Sequence, residues 1–515
     1  MEKSSVTIQR YDSEDQGFYE AKYEVPLEPG MTILETLKYI YENYDGSLAF
    51  NYGCRYGRCG SCAVMVNGRP SLICRDSSMK EMRIEPLHNF PVVKDLIVDR
   101  SEFDMRVDRI RPWLHRHLEP ATSPEVLDPE KFNDFRVASR CIECLSCLSV
   151  CPVFTARKYE YGGPSLQVHL ARHIFDPRDE LNRIPMAFSE GIFHCTECGR
   201  CEEVCPSKIK IPSQIIEKVR ELAFDQDMIP GYLHEVGKNL GNTGSTVTVP
   251  QGQKTLLDEL PDKVEVLEEK GRVAFFVGCY INSMARLKET GRSLMQVMKR
   301  TGTTVIIPKE QGCCGLPMIE GGGTKRVEEL ILKNIAALEK TGVGTVVTAC
   351  AGCGKIMKNY WPQVLKKAAN RDLPFKVCDA SEYIANMVSL PEKDLVNVNL
   401  KAVYHDPCSL HRGQEISEEP RKLLKAIPGV ELVESASADC CGGGGGLRAC
   451  NKDLSIEVAR NRAEELKKLN PDAVVTSCPT CILQLTESFR AVGANNISVT
   501  HVFNVLARAC QVDEK

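Results

Sequence analysis

Apolar residues recur along this 515-residue chain in two different rhythms. Ile33, Leu34, Leu37 and Ile40 fall on one side of a helix, behind a capping-box pair, Thr32 and Glu35, that starts it. The run "AVMVNG" reads instead as a strand entering a turn at Asn67-Gly68. Further on, Val327, Leu330, Ile331, Ile335 and Leu338 make a second helical stripe that Gly342 can cap, and "TVVT" follows as a buried strand. Roughly 128 residues later the order returns: a helix from about Leu454 to Leu469, a break at Asn470-Pro471, then "AVVT". This alternation predicts an α/β domain with a mainly parallel sheet in each copy. Between about 242 and 270 apolar periodicity lapses and Pro250 and Pro261 appear, so this segment reads as a linker.

Composition narrows the function. Lys+Arg 65 against Asp+Glu 69 leaves a net charge of -4, which gives no basic excess for a nucleic-acid backbone. No apolar run approaches the ~18 residues of a membrane span, and "MEKSSVTIQR" lacks the apolar core of a signal peptide, so the expected location is the cytoplasm. The outlier is cysteine, 25 residues, below the ~8–10% of small disulfide scaffolds. A cytosolic chain of this length does not need staples, and metal or redox use becomes the leading reading. Cys378, Cys450 and Cys510 stand outside the spaced sets and read as small buried hydrophobes.

Three spacings divide the remaining cysteines. Cys54, Cys59 and Cys62 stand as C-x4-C-x2-C with Cys74 further on, the plant-type spacing for a [2Fe-2S] cluster. Gly53, Gly57 and Gly60 permit the tight turns that let these thiolates converge and main-chain N–H groups face them. Structural zinc, the alternative, rarely uses this spacing. Two copies of C-x2-C-x2-C-x3-C-P follow: Cys141, Cys144, Cys147, Cys151-Pro152 and Cys195, Cys198, Cys201, Cys205-Pro206. In this two-cluster ferredoxin run the fourth cysteine ligates the other cluster. One [4Fe-4S] set is therefore Cys141, Cys144, Cys147 and Cys205, the other Cys195, Cys198, Cys201 and Cys151, with each proline expected to open the next helix.

The repeated half carries two sets of five: Cys279, Cys313, Cys314, Cys350, Cys353 and Cys408, Cys440, Cys441, Cys478, Cys481. Five is odd for disulfides and one too many for a tetrahedral metal. Cys279, Cys350, Cys408 and Cys478 directly follow strand-like runs, and ligand sites in such sheets lie at the strands' C-terminal ends, so each set is expected to gather at one edge. The "CCGGGGGLR" run lacks a nucleotide-binding register and reads as flexible access to a cluster. "EGGGTKR" likewise fails the phosphate-loop pattern, and nothing offers a flavin fingerprint. His194, His405 and His411 lie beside cysteines and read as hydrogen-bonding neighbours or core residues, not iron ligands.

With "CRYGRCGSC", "CIECLSCLSVCP" and a second cysteine run ending in Cys-Pro, the front half resembles the iron-sulfur subunits of succinate dehydrogenase and fumarate reductase. That family commonly has an apolar residue at the position of Cys198, giving a [3Fe-4S] cluster; a cysteine there implies two [4Fe-4S] cubanes and weakens any carry-over of a quinone site. The back half resembles the CCG-domain family, whose spacing both copies meet, and which includes heterodisulfide reductase and 2-hydroxy-acid oxidation subunits. For the heterodisulfide reductase members the resemblance implies a noncubane [4Fe-4S] cluster on each five-cysteine set, with zinc or a cubane in one set as the alternative.

The fusion is similar to the iron-sulfur subunits of the thiol:fumarate reductase family. That resemblance implies oxidation of coenzyme M and coenzyme B thiols to a heterodisulfide, a relay through the cubanes and the [2Fe-2S] cluster, and a partner flavoprotein whose FAD reduces fumarate. The alternatives it leaves are a quinone-linked succinate dehydrogenase subunit and a 2-hydroxy-acid oxidase subunit. The expected architecture is multidomain, α+β in front and α/β behind. It comprises a β-grasp [2Fe-2S] ferredoxin-like domain (1–110), a helical domain with two [4Fe-4S] clusters (111–245), a linker (246–270) and two α/β CCG domains (271–395 and 396–515).

Overall fold

The computed structural model describes residues 2–12, 17–118, 125–250, 252–388 and 390–510. The chain forms two compact units, Met1–Cys195 with Gly199–Met228, and Thr196–Cys198 with Ile229–Lys515.

The first unit opens with strands β1 (Lys3–Asp12), β2 (Gly17–Pro26), β3 (Ala63–Val66), β4 (Arg69–Leu72) and β5 (Glu81–Glu85), followed by a small ribbon of β6 (Val92–Lys94) and β7 (Ile97–Val98). The five-stranded order is β2-β1-β5-β3-β4, with β1 and β5 parallel and the other pairs antiparallel, the mixed β-grasp arrangement expected. Alternation along β1 buries Ser4, Val6, Ile8 and Arg10 on one face. The helix Ile33–Asn43 buries Ile33, Leu34, Leu37 and Ile40, and its capping box on Thr32 and Glu35 is formed. Asn67 and Gly68, both at positive φ, close the β3–β4 hairpin. Arg10, 2% exposed, donates to Asp95 at 2.8 Å and to Asp45 at 2.6 Å, so its buried charge is paired on two sides.

Helices then take over, including Pro129–Ala138, Pro152–Arg157, Gly163–Ile174 and Glu217–Asp225. Pro152 opens the first helix after its cysteine, as expected. Pro206 does not. The chain turns through Pro206 with Lys208 at positive φ, and helical winding resumes only at Ile211. The turn lets the Ile209 N–H reach back to Cys205 Sγ at 3.5 Å, a contact that an immediate helix would forfeit.

The second unit holds two sheets. The first comprises β8 (Lys263–Val264), β9 (Gly271–Phe275), β10 (Thr303–Ile306), β11 (Thr345–Thr348) and β12 (Lys376–Asp379) in the order β12-β11-β9-β10-β8, parallel except for β8. The second comprises β13 (Leu400–Tyr404), β14 (Val430–Val433), β15 (Ala473–Thr476) and β16 (Ser498–His501) in the order β14-β13-β15-β16, all parallel. The segment read as a linker is structured: Thr255 caps a short helix, Leu256–Glu259, that buries Leu256 and Leu257, and β8 adds an antiparallel edge to the first sheet. Its two-residue strand and single helical turn are too short to show a period. Both copies contribute to one core, in which Phe275, Leu294 and Val347 cluster with Tyr404, Val475 and Phe503. The last helix, Val502–Ala509, packs on the first copy's helix Lys288–Arg300, where Gln296 Nε2 donates to the Ala507 carbonyl.

Candidate functional site

The loop around Cys54 holds its sulfurs with main-chain donors. Arg58 N–H donates to Cys54 Sγ at 3.2 Å, Cys54 N–H to Cys59 Sγ at 3.4 Å, and Gly57 N–H to Cys74 Sγ at 3.2 Å. The Cys54 amide and the Ser61 hydroxyl lower the Cys59 thiol to about 6, whereas burial pushes Cys62 up to about 12. Cys62 and Cys74 sulfurs stand 3.4 Å apart. Gly60, at φ 74°, presses against the next cysteine loop: a Cβ there would lie 2.3 Å from the Ile142 carbonyl oxygen and 2.9 Å from the Cys144 backbone. That approach requires glycine.

Cys141, Cys144, Cys147 and Cys205 line one small enclosed space together with Ile142, Ser146 and Pro206. The fourth cysteine of the second run thus sits with the first three of the other. Of the remaining set, Cys195, Cys151 and Cys201 add to burial in raising the pKa of the buried Tyr161 hydroxyl, and Arg220 Nη2 holds the Cys195 carbonyl at 2.9 Å. Cys198 belongs to the second unit, where its sulfur meets that of Cys440.

In that unit the sheet order itself makes the site. Chain direction across the sheets reverses between β9 and β11 in the first copy and between β13 and β15 in the second, and open α/β sheets bind ligands at such switch points. Cys279 opens a helix after β9, and Cys350 caps one after β11; Cys408 and Cys478 repeat this after β13 and β15. The glycine after each cysteine pair takes a positive φ, 98° at Gly315 and 80° at Gly442, turning the chain so that its amide faces the first sulfur of the pair. In both copies the second cysteine of the pair has a lowered pKa. Hydrogen bonds from Cys313 and Cys353 bring Cys314 to about 6, and Cys441 is lowered by Cys440, Cys481 and His405.

The two copies are tied at their cysteine loops. Ala351 N–H donates to the Ser477 carbonyl at 3.3 Å, and His501 Nε2 bonds the Ala349 carbonyl at 3.0 Å. Burial lowers His501 to about 4, so it acts as a neutral donor while its Nδ1 accepts from Phe503 N–H. As a result, Cys279, Cys313, Cys314, Cys350 and Cys353 share one cavity of about 680 Å³ with Cys408, Cys441, Cys478 and Cys481. That volume falls within the usual range for small-molecule sites. Cys440 is not among the lining residues, but its thiol meets Cys408 and Cys441, which are, as well as Cys198.

Several participants carry no sequence signal of their own. Thr246 Oγ1 lies 3.2 Å from Cys279 Sγ, and Trp361 Nε1 holds the Cys314 carbonyl at 3.1 Å. Glu320 stands on the cavity wall between Lys355 Nζ at 3.2 Å and the Gly445 amide at 3.1 Å. The glycine run is packed, not loose: a Cβ on Gly446 would lie 1.8 Å from the Tyr232 hydroxyl oxygen, and one on Gly444 2.8 Å from the Thr196 carbonyl oxygen. Close approach of neighbours, not flexibility, explains those glycines. Cys378 and Cys510 are buried, while Cys450 is only half-buried. His405, 1% exposed, lies with Cys441 and Cys481 in a group whose ligand atoms are all within 4.8 Å, and His194 Nδ1 bonds the Glu160 carbonyl. The convergent thiols fit iron-sulfur clusters, which soft thiolate donors select.

Comparison with known proteins agrees with this division. A 2Fe-2S iron-sulfur cluster binding domain matches residues 5–105, a 4Fe-4S dicluster domain residues 137–209, and a cysteine-rich domain residues 273–358 and again 402–486. An uncharacterized iron-sulfur protein of Methanococcus maripaludis is 38% identical over 95% of this chain and 94% of its own. A fumarate reductase (CoM/CoB) subunit of Methanothermobacter marburgensis is 36% identical over 95% of this chain and 96% of its own. A dihydromethanophenazine:CoB–CoM heterodisulfide reductase subunit of Methanosarcina barkeri is 28% identical over 72% and 93%. No helix among the described residues is long and apolar enough to cross a membrane. Ferredoxin-type loops in front, paired cysteine-rich domains behind and near-complete coverage of these relatives lead to one conclusion: the chain belongs to the family of iron-sulfur oxidoreductase subunits that includes the Methanothermobacter fumarate reductase (CoM/CoB) protein.

Proposed function

We propose that this chain is the iron-sulfur subunit of a thiol:fumarate reductase. Two thiols, coenzyme M and coenzyme B, each lose a proton and an electron and join through a new S–S bond. Fumarate gains two electrons and two protons on the FAD of a partner flavoprotein and becomes succinate, which balances the reaction. The observation that carries this reading is that nine cysteines from both copies line one cavity, so two thiols held there lie side by side.

The residues divide the work. Cys279, Cys313, Cys314, Cys350 and Cys353 would hold one noncubane cluster, and Cys408, Cys440, Cys441, Cys478 and Cys481 the other. Cys141, Cys144, Cys147 and Cys205, and Cys151, Cys195, Cys198 and Cys201, would hold cubanes; Cys54, Cys59, Cys62 and Cys74 would hold the [2Fe-2S] cluster. Bound clusters supply one-electron redox chemistry between the thiols and the flavin. The bond of Cys440 to Cys198, beside those to Cys408 and Cys441, supports electron passage between the second set and the cluster that Cys198 would ligate. The Gly60 approach to the Cys144 loop supports the next handover, toward the Cys54 loop.

The test uses the oxidised holocomplex with its flavoprotein. Adding both coenzyme thiols is expected to produce a thiol-dependent paramagnetic cluster signal. No signal with the thiols, together with full reduction by a quinol, overturns the reading.

A further inference from the structure

The two five-cysteine sets stand on duplicated elements but in different surroundings. In the matching runs "VAFFVGC" and "AVYHDPC", Phe276 of the first copy answers to His405 of the second. In the helices that precede "VVTAC" and "VVTSC", Glu328–Glu339 and Lys452–Lys467, Asn334 answers to Arg462. All four residues are buried. In the first copy the pair is neutral and engaged elsewhere: Phe276 meets the Trp361 ring edge-on at 5.5 Å, and Asn334 Nδ2 donates to the Cys313 carbonyl at 2.8 Å.

In the second copy the two side chains are joined. Arg462 Nε donates to His405 Nδ1 at 3.4 Å, and the His405 main-chain N–H is tied to the Val475 carbonyl at 2.8 Å. A guanidinium cannot accept a hydrogen bond, so Nδ1 does, and the ring proton is held on Nε2. A ring nitrogen of His405, Cys441 Sγ and Cys481 Sγ all lie within 4.8 Å of one another. Glu465, 32% exposed and 2.7 Å from Arg462 Nη1, offsets part of the guanidinium charge, and Arg462 Nη2 stays buried without a partner among the described residues. Two sulfurs of the second set thus have an N–H donor beside them and a buried cation one hydrogen bond behind it, where the first set has a phenyl ring and an amide turned to main chain.

Electron uptake adds negative charge to a thiolate-held cluster, and donors or cations beside its sulfurs stabilise the reduced state. We propose that His405, aligned by Arg462, is a positioning residue that makes the second five-cysteine set the stronger electron acceptor of the two. The direction of flow this implies rests on the reading that both sets hold clusters fed by thiols. One electron passes from the first set, which is oxidised, to the second, which is reduced; no atom or proton moves with it. The second set is also the one whose Cys440 bonds Cys198, so the same order leads electrons out. Duplication supplies two places for two thiols, and the difference between the copies gives their electrons one direction.

A redox titration of the holocomplex with dye mediators, followed by paramagnetic resonance, reads both midpoints without any thiol. The signal missing from Cys441→Ser identifies the second set, and the one missing from Cys314→Ser the first. The second set is expected to titrate at the higher potential. His405→Phe, which copies the first set, should lower the second midpoint by at least about 59 mV, a 10-fold change for a one-electron couple and the scale of one hydrogen bond to a charged group. His405→Gln, which keeps an N–H donor, should retain part of the separation, and the first midpoint should stay fixed in both variants. Equal or reversed midpoints in the wild-type complex, or Phe and Gln variants that shift the second midpoint alike, overturn the proposal. If His405→Phe loses cluster iron, Arg462→Asn decides: a lowered second midpoint sustains the proposal and an unchanged one overturns it. Separated midpoints that converge in His405→Phe, in a complex that thiols do not reduce, sustain the acceptor order and overturn the thiol reading; reduction by thiols with midpoints unmoved by His405→Phe does the reverse.

Discussion

The two units hold their cysteines by different physics. In the first, the loop around Cys54 wraps its sulfurs in amides that lie within a few residues of them, as with Arg58 N–H on Cys54 and Cys54 N–H on Cys59. In the second, sulfurs from segments more than thirty residues apart are brought together, four of them from strand ends, and much of their company is other sulfur: Cys279 Sγ to Cys313 Sγ at 3.7 Å and Cys441 Sγ to Cys481 Sγ at 3.3 Å. A loop site is local, and its spacing in sequence nearly specifies its geometry. A strand-end site exists only once the sheet is assembled, and it leaves room for a substrate because the cysteines arrive from separate elements. The same contrast appears in the space beside the sulfurs, small around Cys141, Cys144, Cys147 and Cys205 and about 680 Å³ where the two five-cysteine sets meet.

The strongest way to break that contrast is to remove one sulfur from each cavity set. Cys314→Ser and Cys441→Ser are expected to lower thiol oxidation by more than about 100-fold while dye-linked fumarate reduction continues, because the latter needs only the first unit's sites and the flavoprotein; removing a group that acts as part of a unit costs nearly all of its activity. Loss of both activities would mark general misassembly and would place chemistry and relay in one cooperative site.

A smaller effect tests how the first unit supports its loop. Arg10 and Asp95 are 2% and 1% exposed, and removing one partner of a buried pair leaves the other charge stranded. Arg10→Ala should therefore destabilise that unit by about 3–5 kcal/mol, read as a lower unfolding midpoint in denaturant. The pairing also makes the unit acid-sensitive. Bonds from Ser47 and Arg10 lower the Asp45 pKa, so its contribution is complete above the ordinary carboxylate value and fades as pH falls toward the folded one. An unchanged midpoint in Arg10→Ala would show that the sheet, not the ion pair, supports the loop.

The smallest effect lies at the end of β12, where burial raises Asp379 to about 6 and leaves its Oδ2 without a hydrogen-bond partner. Between the ordinary value of 3.8 and about 6 the folded chain binds more protons than the unfolded one. Stability from this group is thus complete at low pH and lost as pH rises through about 6. Asp379→Asn keeps the capping oxygen for Ser381 and should flatten that dependence, adding at most about 3 kcal/mol at neutral pH. A midpoint that still falls between pH 4 and 6 in the Asn variant would assign the dependence to another group.

Much of the first unit is legible because its determinants are close together in the chain. Thr32 and Glu35 cap a helix within one turn, Asn67-Gly68 closes a hairpin, and the spacing that puts Cys205 with Cys141, Cys144 and Cys147 repeats a strict local motif. Pro206 misleads because a sulfur contact outcompetes the usual helix start. The short helix Leu256–Glu259 and strand β8 escape detection because two to four residues show no period, and their burial depends on a sheet formed by later strands. The glycines after Cys441 misread as flexible because the groups that crowd them, Tyr232 and Thr196, are more than two hundred residues away in sequence.

The chain's sequence, taken alone, determined which cysteines belong to which spacing, where strands deliver four of them, and that the back half is a duplication. Such features arise from residue periodicity and motif spacing, which act over a turn or a strand. Tertiary structure decided that both duplicated sets open into one cavity, that Cys440 meets Cys198 as well as Cys408 and Cys441, and that Thr246 and Trp361 reach the first set. These relations join residues brought together only by packing two sheets through one core, and no local pattern encodes a distance across that core.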